Sequence, residues 1–278
     1  MLLSVMLSNL RLPPAEALQV AAELGLQGVQ LSLGSGPWSP EEMDHDARQT
    51  WKERIHELGL VVTAVSSGFP SLPYDDLAQL DRTLARARQV VEVAADFGAK
   101  VWTSHIGIVP ENPADPKRQT MVRVIRQVVD IAYRQGVFFA IETGPEPPSV
   151  LRSFIEQVAH PGLRVNYDPA NLIIWPALLA KEHGRRYDER EAIERYTPTE
   201  GVEALAPYIA HVHAKDAYVK SGGEYQECLL GEGWVRWPRF LELLRHCGFG
   251  GYMAIEREYE TDRVAAVRQA VDFLRRLG

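Results

Sequence analysis

The chain has 278 residues, 46% of them hydrophobic, and a formal charge of 30 − 37 = −7. That apolar content supports a sizeable core and excludes a disordered or collagen-like chain, and no apolar run approaches the roughly 18 residues a membrane-spanning helix needs. The negative balance argues against a nucleic-acid binder. Cys228 and Cys247 make neither a disulfide framework nor a metal knuckle, so a reducing, cytoplasmic setting is expected.

The first segment, Met1–Ser8, is apolar but short and has no basic region before it, so it reads as a strand rather than a signal peptide. Further β-rich runs follow at 29–33, 61–66, 101–106, 137–142, 164–168, 209–215 and 252–257. With the run at 2–7 their starts lie 27 to 45 residues apart, the length of one strand–loop–helix–loop unit. Helical patterns fill the gaps at 14–24, 75–97, 117–135, 149–159, 237–247 and 261–277. Gly25, Gly98, Gly136 and Gly248 stand where helix C-caps are needed, and Ser149 is placed to open the fourth helix.

Eight such units predict a single (β/α)8 TIM barrel over residues 1–278. The rival is an open doubly wound sheet, but nothing like a GxGxxG or P-loop follows the first run. A charged insertion is expected at about 176–200, after the sixth strand. Residues 181–200 carry 11 charged side chains in 20, which reads as a solvated helix on an enlarged loop. Its place on the active-site face also makes it a candidate lid or subunit contact.

In such a barrel the C-terminal strand ends carry the chemistry. Alternation sorts their faces. In the seventh run Ala210, Val212 and Ala214 suit the helix side, which turns His211 and His213 inward. By the same phase Phe139 and Ile141 turn Glu142 inward, Val165 and Tyr167 turn Asp168 inward, and Met253 and Ile255 turn Glu256 inward. Three carboxylates converging on one mouth repel one another, and a divalent cation relieves that repulsion. Three oxygens and one imidazole suit Mn2+ first, with Mg2+, Co2+ or Zn2+ also admissible, one ion per chain.

Around that centre His105, Glu146, Asn171 and Lys215 are candidate substrate contacts. His211, one pleat deeper than His213, is expected to back the site rather than to ligate. The other histidines lie in helices or loops and are assigned no chemistry. The stretch Leu229–Trp237, with Gly231, Gly233, Trp234 and Trp237, fits either a packed turn or a loop covering a sugar.

The segments IETGPEP, NYDPAN, HVHAKDA, LGEGxVxWPxFLxLL and GYMAIERE together resemble the sugar phosphate isomerase/epimerase family. This is the xylose isomerase-like barrel group that includes ketose 3-epimerases, inosose-handling enzymes and endonuclease IV. The resemblance covers nearly the whole chain. It implies one metal held by Glu142, Asp168, His213 and Glu256, with Glu142 and Glu256 doubling as the catalytic acid and base. It aligns His213, not His211, with the family's ligand.

Two positions depart from the ketose 3-epimerase pattern. Asn171 stands where those enzymes carry a histidine, and Ala217–Lys220 lacks their Asn-Arg dipeptide. The histidine set of the three-metal endonucleases is absent as well. The implied activity is a divalent-metal-dependent sugar isomerase or epimerase. It would abstract a proton next to a carbonyl through a metal-stabilised enediolate. A metal-dependent lyase or dehydratase of an inosose-like polyol, and a non-catalytic sugar-binding relative, are the alternatives. The expected partner is a small sugar or polyol, without nucleic acid or membrane, and a homodimer or homotetramer is possible for barrels of this kind.

Overall fold

The computed structural model describes residues 1–34, 37–67, 77–259 and 261–278. Eight parallel strands close into a barrel: β1 (Leu2–Met6), β2 (Gly28–Ser32), β3 (Val61–Ser66), β4 (Val101–Ser104), β5 (Phe138–Glu142), β6 (Leu163–Tyr167), β7 (Ile209–Ala214) and β10 (Tyr252–Ile255). Two more, β8 (Asp216–Val219) and β9 (Tyr225–Cys228), form an antiparallel hairpin on the rim. Hydrogen bonding of β1 to both β2 and β10 closes the ring. The closed eight-stranded barrel with alternating helices is the fold the unit count predicts, and the open-sheet rival is excluded.

The outer layer consists of α1 (Pro14–Glu23), α2 (His45–Glu57), α3 (Leu77–Phe97), α4 (Pro116–Arg134), α5 (Pro148–Val158), α9 (Trp237–His246) and α10 (Arg263–Leu277). Between β6 and β7 lie α6 (Asn171–Glu182), α7 (Glu189–Tyr196) and α8 (Gly201–Leu205). The start expected for the second helical pattern, residues 75 and 76, lies outside the described residues. No helix among the described residues is long and apolar enough to cross a membrane.

Three local expectations are corrected. Helix α5 opens at Pro148 with Pro147 in the cap position, so Ser149 sits inside the first turn. A proline lacks an N–H and its φ is already helical, so it suits that first position. Helix α2 has no counterpart in the sequence reading. Only Arg48 and Ile55 are buried on it, and Arg48 pairs with Asp96 of α3 at 2.8 Å, so no apolar stripe marks it. The charged stretch 181–200 is not one helix: it takes in the end of α6, a turn, and α7.

The barrel interior is small at the N-terminal end and polar at the other. Ala64, Val101 and Ala140 form a separate apolar plug, and the partly buried Ala210 packs against it rather than on the helix side expected for it, at the register slip where β7 has one residue more than β6. Above it the interior residues are neutral on one side of the ring, where Gln30 donates to Thr103 and Ser32 lies 3.2 Å from Ser66. On the other side they are charged.

Candidate metal centre

The charged side is built by β5, β6, β7 and β10. Asn166 pairs in register with both Glu142 and His211, and Ala254 with His213, so these positions share the inward face. Two residues on from Asn166 and Ala254 come Asp168 and Glu256, in the same phase. Glu142, Asp168, His213 and Glu256 are all buried, and one potential ligand atom of each lies within 4.8 Å of every other.

His213 sits at the centre. Its Nε2 is 3.0 Å from Gln30 Oε1, an atom that can only accept, which favours the ring proton on Nε2, and Asn166 Nδ2 lies 3.2 Å from both ring nitrogens. Nδ1 then faces Glu256 Oε2 at 2.7 Å, Glu142 Oε1 at 3.5 Å and Asp168 Oδ2 at 4.0 Å. A nitrogen lone pair aimed at three carboxylate oxygens is repulsive unless a positive charge stands among them. Without a metal the ring must take up that charge itself. Burial opposes this, but Glu256 and Glu142 outweigh it and raise the His213 pKa.

The carboxylates are held individually. Asp168 Oδ1 accepts from the backbone N–H groups of Ala170 and Asn171 at 2.8 and 3.1 Å, at the start of α6. Its Oδ2 is buried without a partner among the described residues. Glu142 Oε1 accepts from Asn171 Nδ2 at 2.8 Å and lies 3.5 Å from His105 Nε2. Glu256 Oε1 is 3.0 Å from Lys215 Nζ, which also reaches Glu258 at 3.3 Å.

Charge is distributed unevenly among them. Burial pushes all three carboxyls up. For Glu142 the His105 and His213 charges overcome burial and bring it down to about 2. Lys215 and His213 likewise lower Glu256. Asp168 is left raised to about 8, because Lys215 does not offset burial and the two glutamates add to it. One carboxylate therefore has no counter-charge of its own. That excess, the orphaned Asp168 Oδ2 and the His213 Nδ1 turned toward the three carboxylates fit a divalent cation bound by three oxygens and one nitrogen.

The structure also brings His105, Asn171 and Lys215 to this mouth. His211 lies below it. Burial pushes its pKa down to about 3, and its Nδ1 meets Asn166 Oδ1 at 3.0 Å. Glu146 is not at the cluster: it lies buried in a neighbouring cleft. The sequence reading passed over Gln30 and Asn166, which hold the histidines, and Trp175, whose indole packs on Gly144 and stands edge-on to the His105 ring with centroids 6.2 Å apart. A lone amide inside an apolar strand run, as in VQLSL, was the available signal for Gln30.

The loop after β9 is a packed turn. Asp216 accepts from the N–H groups of Gly231, Gly233 and Val235 and from Trp237 Nε1; Trp237 is buried and offers no surface to a sugar, whereas Trp234 is half-buried. A side chain on Gly233 would run into the Asp216 carboxylate, which accounts for the glycine there.

A family model described as a xylose isomerase-like TIM barrel matches residues 18–277. The chain belongs to that family. Among solved xylose isomerase-like barrels, a xylose isomerase domain protein from Planctomyces limnophilus is 26% identical, with a TM-score of 0.75 over 94% of this chain and 91% of that one. A D-psicose 3-epimerase from Clostridium cellulolyticum H10, solved with D-tagatose, has a TM-score of 0.76 at 14% identity, over 100% and 99% of the two chains, a likeness of fold alone. Two curated relatives are each 25% identical: an uncharacterized protein of Methanocaldococcus jannaschii, aligned over 69% of this chain, and the uncharacterized protein YihM of Escherichia coli, over 80%. The chain spans only 62% and 60% of their lengths.

Proposed function

We propose that the protein is a divalent-metal-dependent sugar isomerase or epimerase that moves a proton next to a carbonyl. The observation that carries this reading is the buried convergence of Glu142, Asp168, His213 and Glu256 at the C-terminal end of a xylose isomerase-like barrel. These four residues would hold the ion, Mn2+ first among Mg2+, Co2+ and Zn2+. When bound, it supplies Lewis-acid polarisation of the substrate carbonyl.

The protein's own groups do the rest. Glu142 ends β5 and Glu256 directly follows β10, strands separated around the ring by β6 and β7, so they approach a bound sugar from different sides. One removes the carbon-bound proton and the other delivers one. Return to the opposite face of the same carbon is epimerisation; delivery to the adjacent carbon is isomerisation. Asn171 orients Glu142, and the Lys215 ammonium keeps Glu256 ionised and offers a donor to a substrate hydroxyl. His105, with its side chain 45% exposed, and Trp175 line the entrance as a polar group and an aromatic wall. The substrate is a small sugar or polyol. Two free cysteines support a cytoplasmic location.

The test is turnover of ketoses and inososes in D2O by Mn2+-loaded protein. An isomeric product with deuterium on carbon supports the proposal. A product lighter by one water makes the protein a dehydratase. Sugar binding without exchange makes it a binding protein.

A further inference from the structure

Two of the buried polar atoms that lack a partner, Glu146 Oε2 and Tyr187 Oη, line the same cleft, which has a volume of about 620 Å3. It lies outside the metal cluster. Three segments lead to it from the mouth. The loop after β4 runs from His105 to Val109, the loop after β5 from Glu142 to Glu146, and α6 from Asn171 to Pro176 and Leu179. Each spans a few residues, which puts the cleft on the order of 10 Å from the cluster. Helix α7 closes its outer side. Tyr196 Oη donates to the carbonyl of Pro145 at 3.2 Å, and Arg195 pairs with Glu111.

The lining carries both signs, Lys117, Arg185, Arg186 and Arg195 against Glu111, Asp188 and Glu191. Burial raises the Glu146 carboxyl to about 8 against the pull of the Val109 amide and Arg118. Burial, with Glu189 and Asp188, raises the Tyr187 hydroxyl to about 12. Both therefore carry a proton to donate at neutral pH. The acidic residues nearby are already engaged: Glu111 and Glu191 pair with Arg195, and Asp188 caps α7. Arg185 and Arg186 line the cleft, and no ion-pair partner for either is found among the described residues. A buried carboxyl, a half-buried tyrosine hydroxyl and two exposed guanidinium groups line the cleft together with the apolar Val109, Pro145 and Pro176. A buried polar group left unpaired is unfavourable, so a ligand that supplies acceptors is favoured there.

We propose that this cleft is a second ligand site, for the oxyanion of a small carboxylic acid or phosphate ester, bound by Glu146, Tyr187, Arg185 and Arg186. The assignment does not depend on the reaction at the metal cluster.

Calorimetric titration of the metal-stripped protein with inorganic phosphate and, separately, with succinate tests it. Saturable binding of either is expected, and the preferred anion tells the phosphate and carboxylate classes apart. The double variant Arg185→Ala/Arg186→Ala should weaken that binding about tenfold or more. Tyr187→Phe, which removes a single oxygen and keeps the ring, should weaken it about threefold. Asp168→Asn, in the metal cluster, should leave it unchanged. No saturable binding of either anion, equal affinity in both cleft variants, or loss on Asp168→Asn would each overturn the proposal.

Discussion

Asp168 and Asp216 are both fully buried aspartates at the C-terminal rim of one barrel. Asp216 is saturated: Oδ1 accepts from Ala217 and Val235, and Oδ2 from Gly231, Gly233 and Trp237. Asp168 is half satisfied: Oδ1 accepts two backbone N–H groups and Oδ2 accepts none. The first region spends its charge on organising a loop. The second keeps an oxygen aimed at two glutamates and a histidine. A buried charge whose partners come from its own neighbourhood is architecture, whereas one left without them beside like charges is a place prepared for something else.

The contrast can be broken from either side. The largest effect is expected in the cluster: Glu142→Gln and Glu256→Gln should each lower turnover by about 10³-fold or more while weakening metal binding only partly, as read from initial rates and metal titration. Equal loss of metal and turnover would make them ligands only. Next, Asp216→Ala should destabilise the fold by about 3 kcal/mol in urea melts, because it strands buried N–H donors. Metal uptake by the folded fraction should stay intact.

A smaller effect separates the two histidines. His213→Ala should lower metal affinity about tenfold or more, whereas His211→Ala should cost stability, about 1 kcal/mol, and leave affinity nearly unchanged. The reverse result would move the ligand to His211.

The smallest effect is a pH slope. Glu146 is raised from its unfolded value to about 8, so the folded state holds a proton that the unfolded state has released. Its contribution to stability is full below about pH 4.5 and is lost as pH rises toward 8. Glu146→Gln should flatten that part of the stability profile measured by thermal melts. An unchanged slope would show that Glu146 is ionised when folded.

Much of this was legible along the chain. The eight strand runs fall within a few residues of β1–β7 and β10, because period-2 alternation is a local property that survives without knowledge of neighbours. The same alternation turned Glu142, Asp168, His213 and Glu256 to one face. Helix α2 was hidden because a buried arginine replaces part of its apolar stripe. The β8–β9 hairpin was hidden because Asp216–Val219 follows directly on a strand and reads as its loop.

The sequence by itself therefore determined the barrel, the phase of its inward residues and a surplus of acid at one set of strand ends. Only the tertiary structure decided that Gln30, on the far side of the ring, fixes which nitrogen of His213 faces the carboxylates. It also decided that Asn171 holds Glu142, and that Glu146 turns away into a cleft with Tyr187. These depend on strand register and ring closure, which set distances between residues as much as 183 positions apart, and no local periodicity encodes such distances.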